Sequence, residues 1–310
     1  LVWKEEKRKG MRVVVIGSRT NYRYFAEYCD PMIAALKARL VLYEAEEEET
    51  MMMELGKEEE ETRFIFIQRL PSDRVLESLP LHHVLMLNTE QLFPGSQNVV
   101  EVEKAAEKGI VVLDYDQWQS RLVVPHVYLP SLEDGSTTRE MWQTIPKTYD
   151  VAICTNNSVD RHKIVDRLCS LGIQVRDVYG FGEERDRMIA EARVLLNVRK
   201  HRNYCTFEHM RCTRWIMAGM PVVSESGESD TELDLLDFIT SVPYDGIVEA
   251  VQKILNNFDV HKNELAARLD AHLPTILCER QALFEKEIAA LSLSSTPAAL
   301  GFCDETRHAR

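Results

Sequence analysis

The feature that most limits what this chain can fold into is a recurrence of short apolar runs separated by helix-length amphipathic segments. Met11–Gly17 reads MRVVVIG, with four branched residues in a row before a glycine, as suits a strand buried on both faces of a parallel sheet. Leu40–Tyr43, Phe64–Gln68, His83–Leu87 and Ile110–Asp114 repeat the pattern, with helical segments from Ser18 to about Lys37 and over Asn98–Lys108. A proline-bearing stretch from Pro125 to Pro146 reads as a linker. Beyond it the alternation restarts. Strands are expected at Asp150–Cys154, Ile173–Val178, Val194–Val198, Val222–Ser224 and Phe238–Val242, and helices at Arg161–Leu171, Glu184–Ala192, Phe207–Ala218 and Gly246–Asn256. A helical pattern from Lys262 to about Leu291 is expected to break or kink at Pro274. The fold class is therefore α/β. Two Rossmann-like parallel-sheet domains are expected at residues 11–130 and 147–290, facing a cleft, with C-terminal helices and a flexible tail at 291–310.

The net charge of −13 argues against a protein that holds nucleic acid by neutralising phosphates, so no nucleic-acid partner is expected. The total is unevenly spread. Ten glutamates and one lysine between Glu44 and Glu61 carry −9, leaving −4 elsewhere, so a basic pocket for a phosphate ligand remains open. The glutamate-rich segment is too densely charged for a core and reads as a solvated insertion or a ragged helix. Seven scattered cysteines without zinc-site spacing fit a reducing compartment. With no apolar run of membrane-spanning length and no apolar leader in the charged N-terminus, a cytoplasmic protein without a transmembrane segment is expected.

In open parallel sheets ligands sit beyond the carboxyl ends of the strands, so the residues there carry the functional reading. Gly17-Ser18-Arg19-Thr20-Asn21-Tyr22 follows the first strand. It lacks the three glycines of a dinucleotide fingerprint, and no phosphate-cradling glycine-lysine loop occurs elsewhere, which lowers a dinucleotide oxidoreductase to a third reading. Asn88-Thr89-Glu90 puts amide and carboxylate groups at a cleft edge, although Asn88 or Thr89 also suits a cap. Asn157, Ser158 and Arg161 open a helix, where they form either an anion site or a solvated helix face. Gly180-Phe181-Gly182 allows close backbone approach, while the following Glu183 and Glu184 disfavour phosphate. After Val198 comes the basic run Arg199-Lys200-His201-Arg202, then Phe207, Glu208 and Arg211. Glu208, Arg211, Cys212 and Trp215 fall on one helix face, where a ribose diol would satisfy the carboxylate and a phosphate the guanidinium.

The string Gly219-Met220-Pro221-Val222-Val223 after an amphipathic helix resembles the late nucleotide-binding segment of two-domain GT-B glycosyltransferases. The longer strings VLLNVRKHRNYCTFEHMRCTRWIMAGMPVVSE and YDVAICTNNSVDRHKIVDRLCSLGIQVRDVYGFGEERD, with VVVIGSRTNYRYF and LNTEQL, resemble glycosyltransferases of large DNA viruses and some microbes. The likeness runs from about Val13 to Asn256.

It implies a transfer of sugar from a nucleoside-diphosphate sugar, a UDP-sugar among the candidates, to a hydroxyl of a glycan or small acceptor. The same-fold alternative is a non-catalytic nucleotide-sugar-binding module. Asn157, Ser158, Arg161, Gly180, Phe181, Gly182, Arg199, Phe207, Glu208, Arg211 and Glu225 are the implied donor-side residues. Ser18, Arg19, Tyr22 and Asn88 are the acceptor-side residues. Glu90 is the first choice for a general base and His83 the second. The chain departs from a retaining pattern of two glutamates eight positions apart, having Thr206 and Arg214 at those places. It also lacks a paired-aspartate strand end, so no metal and no cofactor beyond the donor are expected.

Overall fold

The computed structural model describes residues 12–293 apart from 57, 59, 60, 120–125, 157, 202, 205, 228, 231 and 232. The first half is a parallel sheet built from β1 (Val13–Ser18), β2 (Arg39–Tyr43), β3 (Arg63–Ile67), β4 (Val84–Asn88), β5 (Val111–Asp114) and β6 (His126–Tyr128), in the order β2-β1-β3-β4-β5-β6. Its layers are covered by α1 (Arg19–Leu36), α2 (Glu48–Leu55), α3 (Asp73–Glu77) and α4 (Gln97–Glu107). After α5 (Ser136–Thr144) the second half forms another parallel sheet from β7 (Tyr149–Ile153), β8 (Val175–Asp177), β9 (Ala192–Asn197), β10 (Val222–Glu225) and β11 (Thr240–Val242), in the order β11-β10-β9-β7-β8. Between these strands run α6 (Val159–Ser170), α7 (Gly182–Ala190) and α8 (His209–Met217). The expected two-sheet α/β fold is the observed one.

Branched runs drive it. Val13, Val14, Val15 and Ile16 of β1 are all buried, alternate residues feeding the clusters on opposite faces of the first sheet. The second sheet divides in the same way, Leu195 and Val222 packing with Trp215 on one face and Val194 and Val223 with Ile164 on the other.

Two helices close the chain, α9 (Ile247–Asn256) and α10 (Phe258–Leu293). The second is assigned as helix without interruption through Pro274, so the expected break there is not observed. This helix joins the halves: Leu265, Leu269 and Leu273 belong to a core of the second half, whereas Phe284, Ile288 and Leu291 pack with Val13 and Leu36 of the first. Residues of the expected tail beyond Leu293 lie outside the described ones.

Two other segments differ from expectation. The stretch from Pro125 to Pro146 contains α5, whose Trp142 is buried in the second-half core and donates its indole N–H to the Ala192 carbonyl at 3.2 Å. The glutamate-rich stretch is neither free nor ragged over Glu48–Leu55, where α2 buries Met51 and Leu55. Its Glu44 accepts from the backbone N–H of Thr20 at 2.9 Å, so a carboxylate meets an otherwise unpaired amide at the start of α1, and Glu47 pairs with the Arg19 guanidinium at 2.9 Å.

Candidate functional site

The carboxyl ends of both sheets look into a cleft of about 610 Å³. Thr89, Glu90 and Gln91 from the turn after β4 and Tyr115 after β5 form part of the first-half wall, with Tyr24 and Phe25 of α1 at one side. Opposite stand Cys154, Thr155, Asn156 and Arg161 around the start of α6, the loop of Asp177 to Phe181, Lys200 and Tyr204 after β9, and Glu208 and Arg211 at the head of α8.

Glu90 owes its position to Asn88. The Asn88 side chain is buried, donating to the Glu90 carbonyl at 2.9 Å and accepting from the Glu90 N–H at 3.2 Å. Glu90 Oε1 accepts from Gln68 Nε2 at 3.3 Å. Burial, followed by the Glu208 carboxylate facing it, pushes the Glu90 carboxyl up to about 7, while Lys200 and Arg69 oppose that rise. A carboxylate so tuned can exchange a proton near neutral pH.

Glu208 sits at the N-cap position of α8, and its carboxylate does not cap the helix. It accepts instead from Gln91 Nε2 at 2.5 Å across the cleft and lies 3.6 Å from Arg211. The helical face expected to carry Glu208, Arg211, Cys212 and Trp215 together therefore divides. The first two line the cleft, and the last two are fully buried in the core. Arg161 is buried, its Nε donating to the Val198 carbonyl at 2.6 Å and Nη1 to the Cys154 carbonyl at 2.9 Å. Its Nη2 is buried with no hydrogen-bond partner among the described residues. Burial and the nearby Arg211 push the Arg161 guanidinium below its ordinary range. An anion between Arg161 and Arg211 would supply the missing acceptor and relieve that repulsion.

Gly180 and Phe181 also line the cleft. Gly180 has φ 82° and Gly182 φ 59°, left-handed values that favour glycine. The Phe181 ring meets Tyr24 edge-on at 4.1 Å. Gly182 begins α7 but does not line the cleft.

Other expected site residues are occupied elsewhere. Ser158 is the N-cap residue of α6, and its hydroxyl donates to the Lys200 carbonyl at 3.0 Å. Arg199 and Glu225 satisfy one another at 2.9 Å, joining the ends of β9 and β10. Phe207 is buried in the second-half core. Ser18 caps α1, accepting from Asn21 N–H at 3.4 Å, while Arg19 turns outward to Glu47 and the buried Tyr22 donates to Asp30. His83 lies at the amino end of β4, the far edge of a parallel sheet from the cleft, against His82. Asn157 lies outside the described residues.

Sequence reasoning did not single out Gln91, Tyr115, Lys200 or Tyr204 as cleft residues. Lys200 stands in the basic run already noted and Gln91 adjoins Glu90, so both were within reach of the strand-end rule. Tyr204 lines the cleft, its ring centroid 5.0 Å from that of Phe93 of the opposite half.

Among the described residues no group of three or more His, Cys, Asp or Glu side chains is placed to hold a metal ion, and no helix is long and apolar enough to cross a membrane.

No family model matches the chain. It is 29% identical to an uncharacterized protein of Acanthamoeba polyphaga mimivirus over 81% of its own length and 82% of the relative's. A second uncharacterized mimivirus protein is 32% identical over 57% of this chain but 21% of that protein. A third is 26% identical over 80% of this chain and 89% of the relative. Among solved structures it resembles an alpha-glucosyltransferase in complex with UDP and a 13-mer DNA containing a HMU base. The TM-score is 0.60 at 9% identity, over 91% of this chain and 99% of that one. This neighbour corrects the exclusion of nucleic-acid partners. A net charge carried mainly by residues 44–61 does not report on the rim of a cleft, and a fold of this kind is seen with DNA in place. The chain has a two-domain GT-B-like α/β fold and is related in sequence to uncharacterized mimivirus proteins.

Proposed function

We propose that the chain transfers a sugar from a nucleoside-diphosphate sugar to an acceptor hydroxyl. Residues 147–290 hold the donor and 11–130 the acceptor. The observation that carries this reading is the opposition, within one cleft, of a carboxyl poised near neutrality and a cluster of two arginines with a carboxylate. Glu208 receives a ribose diol, and Arg161, Arg211 and Lys200 face the diphosphate. In a single displacement the acceptor oxygen bonds to the anomeric carbon and passes its proton to Glu90. The bond to the diphosphate oxygen breaks, and its electron pair leaves with the nucleoside diphosphate. The cations then offset charge where it develops. The fold neighbour was solved with UDP, which makes a UDP-sugar the first donor to try.

The acceptor is a glycan or a small hydroxyl compound. A hydroxyl borne on a nucleic-acid base is a second acceptor class, favoured by the DNA in the same neighbour. Thermal-shift measurements with UDP, GDP, ADP and NAD test the donor site. Stabilisation by one nucleoside diphosphate and none by NAD is expected. Release of that diphosphate from its nucleotide sugar separates a transferase from a binding module. Transfer of label to sugars or to hydroxymethylated DNA separates the acceptor classes.

A further inference from the structure

Against the turn that carries Glu90 lies a buried polar cluster contributed by β4, β5, β6 and the loop after β5. Asn88 at the end of β4 is the register partner of Asp114 at the end of β5. The Asp114 carboxylate is fully buried and accepts from every side. Oδ2 takes Asn88 Nδ2 at 2.7 Å and lies 2.9 Å from His126 Nε2, and Oδ1 takes the Asp116 N–H at 2.9 Å and Gln119 Nε2 at 3.2 Å. Gln119, also fully buried, reaches back to the turn. It donates to the Glu90 carbonyl at 3.3 Å and accepts from the Leu92 N–H at 2.5 Å. Asn88 holds the Glu90 N–H and carbonyl from the other side.

A turn needs no buried carboxylate to close it, and bringing one into the interior costs free energy unless its oxygens are satisfied. Here they are satisfied by four groups, two of which, Asn88 and Gln119, also grip the backbone of the turn at Glu90 and Leu92. Resting on the reading of Glu90 as the base, we infer that Asn88, Asp114, Gln119 and His126 are positioning residues. They fix the backbone of the 88–92 turn so that the Glu90 carboxyl meets the acceptor hydroxyl at a set height and stays partly desolvated. His126 acts at one remove, holding Asp114 in the orientation that receives Asn88 and Gln119. A site held this way loses rate when its support loosens, because reacting groups tolerate little misplacement.

The experiment uses the full chain and UDP-glucose as the probe donor, with UDP release followed against pH and UDP affinity measured by calorimetry. Gln119→Met is expected to lower kcat tenfold or more, leave UDP affinity within twofold, and move the neutral limb of the kcat–pH profile toward the ordinary carboxylate range as water reaches Glu90. His126→Gln, which keeps a donor to Asp114, is expected to retain most of kcat, whereas His126→Leu loses it. This pair carries the test if Gln119→Met fails to fold. Glu90→Gln is measured alongside. If Glu90→Gln abolishes turnover while Gln119→Met and His126→Leu keep both wild-type kcat and the wild-type pH limb, positioning by the cluster is wrong and the base assignment survives. If Glu90→Gln itself turns over normally, both fall.

Discussion

Gln91 Nε2 donates to Glu208 Oε1 at 2.5 Å, a hydrogen bond that joins the two halves across the cleft. Glu208 is the carboxylate proposed to receive the ribose, and one of its oxygens is occupied by a residue adjacent to Glu90.

A ribose diol must displace Gln91 to use that oxygen. A hydrogen bond to a charged group contributes about 1.5–3 kcal/mol, so Gln91→Leu is expected to tighten UDP binding by about 10-fold or more in calorimetry. Weaker binding by this variant would mean that Gln91 orients Glu208 for the ligand instead.

The raised Glu90 carboxyl gives a signed pH dependence. It serves as a base only when ionised, so kcat rises with pH through about 7 and levels above it. Glu90→Gln is expected to lower kcat by about 100-fold or more, remove that limb and spare UDP affinity. Stability moves the other way. Between the ordinary value of 4.5 and about 7 the folded chain keeps a proton that the unfolded chain has released, so Glu90 reduces stability as pH rises through that window. Urea titrations of Glu90→Gln are expected to show a shallower decline across it.

Arg199 and Glu225 bind each other, and neither lines the cleft. Glu225→Ala leaves the Arg199 backbone N–H and one guanidinium nitrogen without their acceptor. A stability loss of about 1–3 kcal/mol is expected in denaturant unfolding, with UDP affinity unchanged within twofold.

Gly135 precedes α5 at φ 69°, and a Cβ built there would lie 2.6 Å from Met217 Cβ. Gly135→Ala combines a left-handed backbone with a clash against α8, and a loss of about 2–4 kcal/mol is expected by thermal or urea unfolding.

Much of this architecture was legible because buried parallel strands announce themselves as unbroken apolar runs, as VVVI in β1 and VLL in β9 do. β6 did not, since three residues carry no period, and α5 was hidden among prolines. In the site, the strand-end rule found Glu90, Arg161, Gly180, Phe181, Glu208 and Arg211, all of which line the cleft. The rule overreached at Arg199, Glu225, Ser158 and Asn88. Polar residues at strand ends also satisfy one another, and which partner lies within reach depends on register between strands distant in sequence. For the same reason Asp114, Gln119 and His126 passed unnoticed. Nothing in the local sequence around Asp114 points to Asn88, and only the pairing of β4 with β5 makes them neighbours. The strand expected from His83 begins instead at Val84, and His83 lies in the turn before its amino end, which a parallel sheet turns away from the ligand.

The most direct test is calorimetric titration of UDP, GDP and ADP into the wild-type chain, Glu208→Ala and Arg211→Ala. One nucleoside diphosphate is expected to bind saturably, with affinity reduced about 10- to 100-fold in each variant, as for loss of a charge-assisted hydrogen bond. Binding that is equal in all three proteins, or absent with every nucleotide, would contradict a nucleotide site in this cleft.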